Sequence, residues 1–177
     1  MPNYYGHQLL PVYDNMVTIH CLGSGLVGSF VIKKLSTLGV KINVIDIEET
    51  NYLIENDLIK IYVKDAFLYC QETFDDDDLF INMLPGNLGH SVTKLLVSKG
   101  KRIVDLSFSE ETPEILHEIA LESGARLLWD VGIAPGFSNM LISYASRVGD
   151  GIINAEIRVG GNPVSYTHLR AHETDSY

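Results

Sequence analysis

The sequence predicts an α/β fold, a doubly wound parallel sheet. Three observations carry that expectation. Short β-branched and apolar runs alternate with amphipathic segments, the connections between them are short, and glycines fall where strands would turn into helices. The chain has 177 residues, 46% hydrophobic and 20% charged, which suits one domain with a proper core. A net charge of −10 disfavours binding to DNA, RNA or an anionic membrane through bulk charge. Two cysteines are too few for a disulfide framework. No apolar run approaches a membrane span and no signal peptide is visible, so a cytoplasmic protein is expected.

Residues 1–15 (MPNYYGHQLLPVYDN) show no clear period. They read either as an ordered leader or as sequence upstream of a start at Met16. Residues 17–22 form a β-branched and apolar run, as expected of a strand buried on both faces with Cys21 as a buried thiol. The run leads into Gly23-Ser24-Gly25-Leu26-Val27-Gly28. A helix is expected next, with Val27, Phe30, Val31, Leu35 and Leu38 on its apolar side and Gly39 as its C-cap. Residues 40–45 make a second strand ending at Asp46. Residues 49–56 read as a short helix and residues 58–63 (LIKIYV) as a third strand, followed by Lys64-Asp65-Ala66.

The acidic run 75–78 is read as a solvated loop rather than a metal site. Residues 79–84 (LFINML) make a fourth strand, closed by a Pro85-Gly86 turn. Residues 91–98 belong to a helix ended by Lys99-Gly100, and residues 102–108 make a fifth strand with Asp105 inside it. Thr112 and Pro113 start another helix, as cap and first residue. Ile115, Leu116, Ile119 and Ala120 give it an apolar face, and Gly124 ends it. Residues 125–129 form a sixth strand closing on Asp130, residues 137–148 a helix, and residues 152–159 a strand.

Within this order, the segment 23–28 has the G-x-G-x-x-G spacing of a Rossmann dinucleotide-binding turn. Gly23 permits the tight turn, Gly25 lets a pyrophosphate approach, and Gly28 lets the helix pack closely. Leu26 and Val27 open the helix, whose free N–H groups and partial positive charge suit phosphates. Asp46 is placed to bind the adenosine ribose hydroxyls. Neither Arg nor Lys stands among Ile47, Glu48, Glu49 and Thr50 to meet a 2′-phosphate, so NAD is expected in preference to NADP.

Asp65, with Ala66, is a candidate for the adenine amino group, and equally a helix N-cap. Leu84 and Pro85 are placed near the nicotinamide half. Asp105 and Asp130 are the catalytic candidates: each either satisfies nearby loop N–H groups or orients and holds charge on a bound amine. Ser138 and Asn139 are read as helix caps. His20, His90 and His117 show no metal spacing, and no metal is assigned.

These residues carry a resemblance. The glycine motif, Asp46, Leu84-Pro85-Gly86, Val104-Asp105-Leu106-Ser107-Phe108 and the segment Asp130-Val131-Gly132-Ile133-Ala134-Pro135-Gly136-Phe137-Ser138-Asn139 resemble the saccharopine dehydrogenase family, which includes saccharopine reductases, lysine 6-dehydrogenases and carboxynorspermidine dehydrogenases. The resemblance spans about residues 16–161. It implies an NAD(P)-linked oxidoreductase acting on the amine or imine carbon of an amino-acid or polyamine-type small molecule. It also implies that Ala134, Pro135 and Gly136 lie by the cofactor, and that Asp105 lies near the substrate pocket. Many members carry Cys where this chain has Val131, which cannot make that thiol's polar contact, so any role of the thiol is lost or replaced here. The family has a further substrate domain, which the resemblance implies is missing from this chain. It leaves room for a homodimer in the longer protein.

Residues 164–174 (VSYTHLRAHET) are similar to one reading frame of a transposase sequencing adapter. Residues 163–177 are therefore expected to be a non-native tail, and residues 16–162 the Rossmann domain, without turnover as a fragment. Two rival readings stand beside this one. A stand-alone NAD-sensing regulatory module shares the glycines and the acid. A short-chain reductase would need a Tyr-x-x-x-Lys pair, which is absent.

Overall fold

A computed structural model describes residues 17–50, 52–107, 113–149 and 152–158. The leader 1–15, Phe108 at the end of the expected fifth strand, the expected cap Thr112, Val159 and the tail 163–177 lie outside them. The chain divides into two units, Met1–Gly132 and Ile133–Tyr177.

The first unit is an all-parallel sheet of six strands: β1 (Thr18–Leu22), β2 (Lys41–Asp46), β3 (Ile59–Val63), β4 (Leu79–Asn82), β5 (Arg102–Asp105) and β6 (Arg126–Leu128). They lie in the order β3-β2-β1-β4-β5-β6, so the direction of winding reverses between β1 and β4. In such sheets ligands bind at that reversal, outside the carboxyl ends of the strands.

Among the described residues of the first unit, the α-helices are α1 (Leu26–Leu35), α2 (Ala66–Tyr69), α3 (Gly86–Ser98) and α4 (His117–Ser123); the second unit contains α5 (Ser138–Val148). Strand side chains alternate between two apolar layers. Leu22, Ile45, Phe80 and Ile103 pack with Ala66, Val92, Leu96 and Leu116 from the α2–α4 side. Cys21, Val44 and Ile81 pack with Ile32 of α1 on the other side. Registers pair Cys21 with Val44 and Ile81, and Leu22 with Ile45, which keeps each row on one face. Burial pushes the Cys21 thiol up to about 12, as expected of an inert structural cysteine.

Several expectations are corrected. Residues 49–56 show no helix among those described. Their polar side chains bond the backbone instead: Asn56 Oδ1 accepts from Leu58 and Ile59 N–H, and Glu55 Oε1 accepts from Ile61 N–H of edge strand β3 at 2.8 Å. Such local bonds compete with a helical ladder. The apolar side of α1 is also different. Val27, Phe30 and Leu38 are exposed, while Leu35 packs on the core as expected, and the fully buried contacts of the helix are Gly28 and Ile32. Gly39 does terminate this segment, at φ 68°. Pro85-Gly86 is not a separate turn but the start of α3, with Pro85 as N-cap.

The fifth strand stops at Asp105, which ends it rather than lying inside it. Ile115 is exposed, and only Leu116 of the expected face is fully buried. No strand forms over residues 152–158, which have no neighbouring strand to pair with among the described residues.

The acidic run is only partly solvated. Asp78 is 7% exposed and accepts from Thr18 N–H at 3.1 Å and from His20 Nε2 at 3.2 Å. Lys101, equally buried, donates to the Phe74 and Asp75 carbonyls and to Asp76. The run is thus anchored beneath the sheet. His20 stacks on Phe80 at 4.6 Å, and its Nδ1 lies 2.9 Å from the Tyr69 hydroxyl.

Candidate functional site

The carboxyl ends of β1, β2, β3 and β4 are tied into one rim. Gly23 N–H donates to Ile45 O at 2.8 Å, Lys64 N–H to Asp46 O at 2.8 Å, and Met83 N–H to Leu22 O at 2.9 Å. Gly23 takes φ 90°, a conformation that side-chain-bearing residues rarely adopt, so the chain leaves β1 sharply. A Cβ on Gly28 would lie 2.2 Å from the Gly23 carbonyl oxygen, so helix and loop interlock through this glycine. Above Gly25 the space within 4 Å is open. The first turn of α1 has no side-chain cap. Its leading N–H groups therefore have no intrahelical acceptor and face outward with the positive end of the helix dipole. Leu26, at 92% exposure, and Val27 flank this opening.

Asp46 reaches across to the same loop. Its Oδ2 accepts from Ser24 N–H at 2.5 Å and from the Ser24 hydroxyl at 2.7 Å, and its Oδ1 accepts from Glu48 N–H at 3.1 Å. Burial alone would raise its pKa. The donors from Ser24, Glu48 and Ile47 outweigh burial and hold the carboxyl below its ordinary value, so it is ionised at neutral pH. Ser24 was not singled out by sequence; its place between two glycines, opposite an acid, was the available signal. Tyr52 also escaped notice, and its hydroxyl donates to the Ser24 carbonyl at 3.4 Å.

Asp65 is the N-cap of α2, accepting from Leu68 N–H at 2.9 Å, and Ala66 is buried behind it. The cap reading is realised, and the carboxylate stays exposed on the same rim. Leu84 stands beside the turn: a Cβ on Gly23 would meet its side chain at 3.4 Å. Pro85 is the N-cap of α3, with no side-chain cap bond, which makes this the second uncapped helix start at this end of the sheet.

A buried polar chain lies next to it. Asn82, at the end of β4, donates to the Gly89 carbonyl at 2.8 Å and to the Thr93 hydroxyl at 2.9 Å. Thr93 donates to Asp105 Oδ2 at 2.6 Å, while Asp105 Oδ1 accepts from Ser107 N–H at 2.7 Å and its hydroxyl at 2.5 Å. Asp105 is 5% exposed, and these bonds satisfy its carboxylate. A Cβ on Gly89 would fall 2.3 Å from that of Ser107, so α3 presses directly on the β5 exit.

Asp130 differs. It takes the left-handed conformation, φ 55°, and burial, then the negative charges of Glu114 and Asp105, push its pKa up. Val131 N–H donates to the Asp105 carbonyl at 3.2 Å, which holds the two candidate acids on adjacent strand ends.

In the second unit, residues Ile133–Phe137 make a single irregular turn before α5. Gly136, at φ 121°, donates its N–H to Asn139 Oδ1 at 3.2 Å, and the Ser138 hydroxyl donates to the same oxygen at 3.1 Å. Asn139 thus fastens the Ala134-Pro135-Gly136 turn. Neither residue makes a side-chain cap for α5. Among the described residues no group of His, Cys, Asp and Glu is arranged to hold a metal, and no helix is long and apolar enough to cross a membrane.

No protein-family model matches the chain. Among solved structures it is similar to a short-chain dehydrogenase from Leptospira borgpetersenii serovar Hardjo-bovis (strain JB197) with bound NAD+. The identity is 14% and the TM-score 0.37, over 82% of this chain and 73% of that one. So distant a likeness transfers no residue role, and the site rests on its own geometry.

Proposed function

We propose that this chain is the NAD-binding part of an oxidoreductase. The observation that carries the reading is the uncapped start of α1 above the open Gly25, with ionised Asp46 held beside it. The residues fit a dinucleotide: Gly23, Gly25, Leu26, Val27 and Gly28 would hold its pyrophosphate against free N–H groups. Asp46 would accept the ribose hydroxyls and repel a 2′-phosphate, which favours NAD over NADP. Asp65 with Ala66, and Leu84 with Pro85, would flank the adenine and nicotinamide ends.

When bound, the nicotinamide supplies a hydride donor or acceptor. The protein's part is to position it and keep water from it. On the motif resemblance to the saccharopine dehydrogenase family, the substrate would be an amine or imine derived from an amino acid or polyamine. In that reading Ala134, Pro135 and Gly136 would come close to the cofactor. Asp105 would set the shape of the pocket through Thr93 and Ser107, and Asp130 would face the substrate's charge.

Calorimetric titration of the chain with NADH and NADPH tests the reading. Binding of NADH, with NADPH weaker, is expected. A folded sample that binds neither, or prefers NADPH, overturns it. Binding of NADH with no oxidation of lysine or saccharopine would favour the regulatory-module alternative.

A further inference from the structure

We infer that Ser24 is a specificity-determining residue of this site: its hydroxyl holds the Asp46 carboxylate in the orientation that admits a ribose 2′-hydroxyl and turns away a 2′-phosphate. The inference rests on the nucleotide reading above and goes beyond it, since Asp46 alone does not fix its own direction.

A carboxylate offers about four acceptor sites, two on each oxygen. Both sites on Asp46 Oδ2 face the glycine loop, taken by the Ser24 N–H and hydroxyl. On Oδ1 the Glu48 N–H takes one. Oδ1 is the oxygen that the glycine loop leaves for a ligand. It suits one hydroxyl donor and offers nothing to a phosphate, which brings acceptors and negative charge. The Ser24 hydroxyl is itself fixed. It donates to Asp46 and lies 3.0 Å from the Thr50 hydroxyl, which is placed to donate to it. Tyr52 braces the same residue through its carbonyl. Losing the hydroxyl removes one of the three bonds that point the carboxylate but leaves the Ser24 and Glu48 N–H donors, so the loop persists while Asp46 is held less firmly. Ser24 is therefore a positioning residue, acting on the ligand through Asp46.

The test is titration of the whole chain and its Ser24→Ala and Ser24→Thr variants with NADH and with NADPH, with folding checked by circular dichroism. S24A is expected to lower the ratio of the NADPH to the NADH dissociation constant about tenfold, the scale of one charge-assisted hydrogen bond. S24T, which keeps the hydroxyl, is expected to restore most of the ratio. The loss of NADH affinity on acidification should also move to higher pH in S24A, because Asp46 has lost a donor. An unchanged ratio in S24A, whether both affinities fall together or neither moves, overturns the inference, as does an unshifted pH profile. Should S24A fail to fold, Ser24→Cys carries the same test with a weak donor of similar size. A folded wild-type chain that binds neither dinucleotide overturns the parent reading and this one with it. Wild type binding NADH with an unmoved ratio in S24A sinks only this one.

Discussion

The two ends of the sheet collect similar residues and finish them differently. Beneath the strands, each charged or polar group meets a partner from the same chain. Asn43 donates to the Tyr69 hydroxyl, Tyr69 meets His20, His20 meets Asp78, and Lys101 binds two carbonyls and Asp76. At the carboxyl ends, α1 and α3 begin without side-chain caps, Gly25 faces open space, and Asp46 Oδ1 is not taken by the glycine loop. Buried polar groups that are fully paired make a fold specific and stable. Groups left incomplete in an exposed rim are what a ligand can complete. The contrast separates residues that hold the protein together from residues that wait for something to bind.

The largest expected effect breaks both functions at once. Gly28→Val places a side chain where a Cβ already lies 2.2 Å from the Gly23 carbonyl. We expect a stability loss of about 3 kcal/mol in urea denaturation and no measurable NADH binding. Retained binding would show that the loop has another way to pack.

The next prediction tests whether the ends are independent. Asp78→Ala leaves the Thr18 N–H and the buried His20 without their acceptor, and should cost about 2–3 kcal/mol, with NADH affinity of the folded fraction unchanged. Acid probes the same cluster. Burial lowers the pKa of His20 below 6.5, despite the opposing pull of Asp78. The unfolded chain therefore takes up this proton first, and stability is complete above pH 6.5. It falls as pH drops below that value, until native His20 is protonated too. Urea midpoints measured against pH should show this slope, and Asp78→Ala should alter it.

The smallest effect sharpens the rim itself. Asp65→Ala removes the α2 cap, at a cost of about 1 kcal/mol. An accompanying loss of NADH affinity would add the adenine role to the capping one.

Much of this was legible from sequence, for physical reasons that also explain the misses. All six strands were readable because each is a short run rich in β-branched or apolar residues with a glycine, proline or acid close behind it. The glycine turn was readable because steric demands at Gly23 and Gly28 leave no other residue type. The packing of α1 was not. A search for large apolar residues picks Val27, Phe30 and Leu38, whereas the helix approaches the sheet through the absence of a side chain at Gly28. Residues 49–56 look helical by composition, but Asn56 and Glu55 serve the neighbouring strand. Asp78 is hidden in a run of four aspartates, and nothing local distinguishes the one that turns inward to His20. The network of Asn82, Thr93 and Asp105 joins two strands and a helix, and no spacing along the chain announces it.

Placing β1 between β2 and β4 has a consequence for synthesis. The first three strands and α1 leave the ribosome as half a sheet, with the central strand paired on one side only. Cys21 and Leu22, wholly enclosed in the finished protein, stay at an open edge until residues 79–82 emerge. The acidic run that precedes those residues travels with them, and a chain edge near negative charge is a poor template for stray strands. Asp75 to Asp78 thus arrive together with the strand that closes the edge.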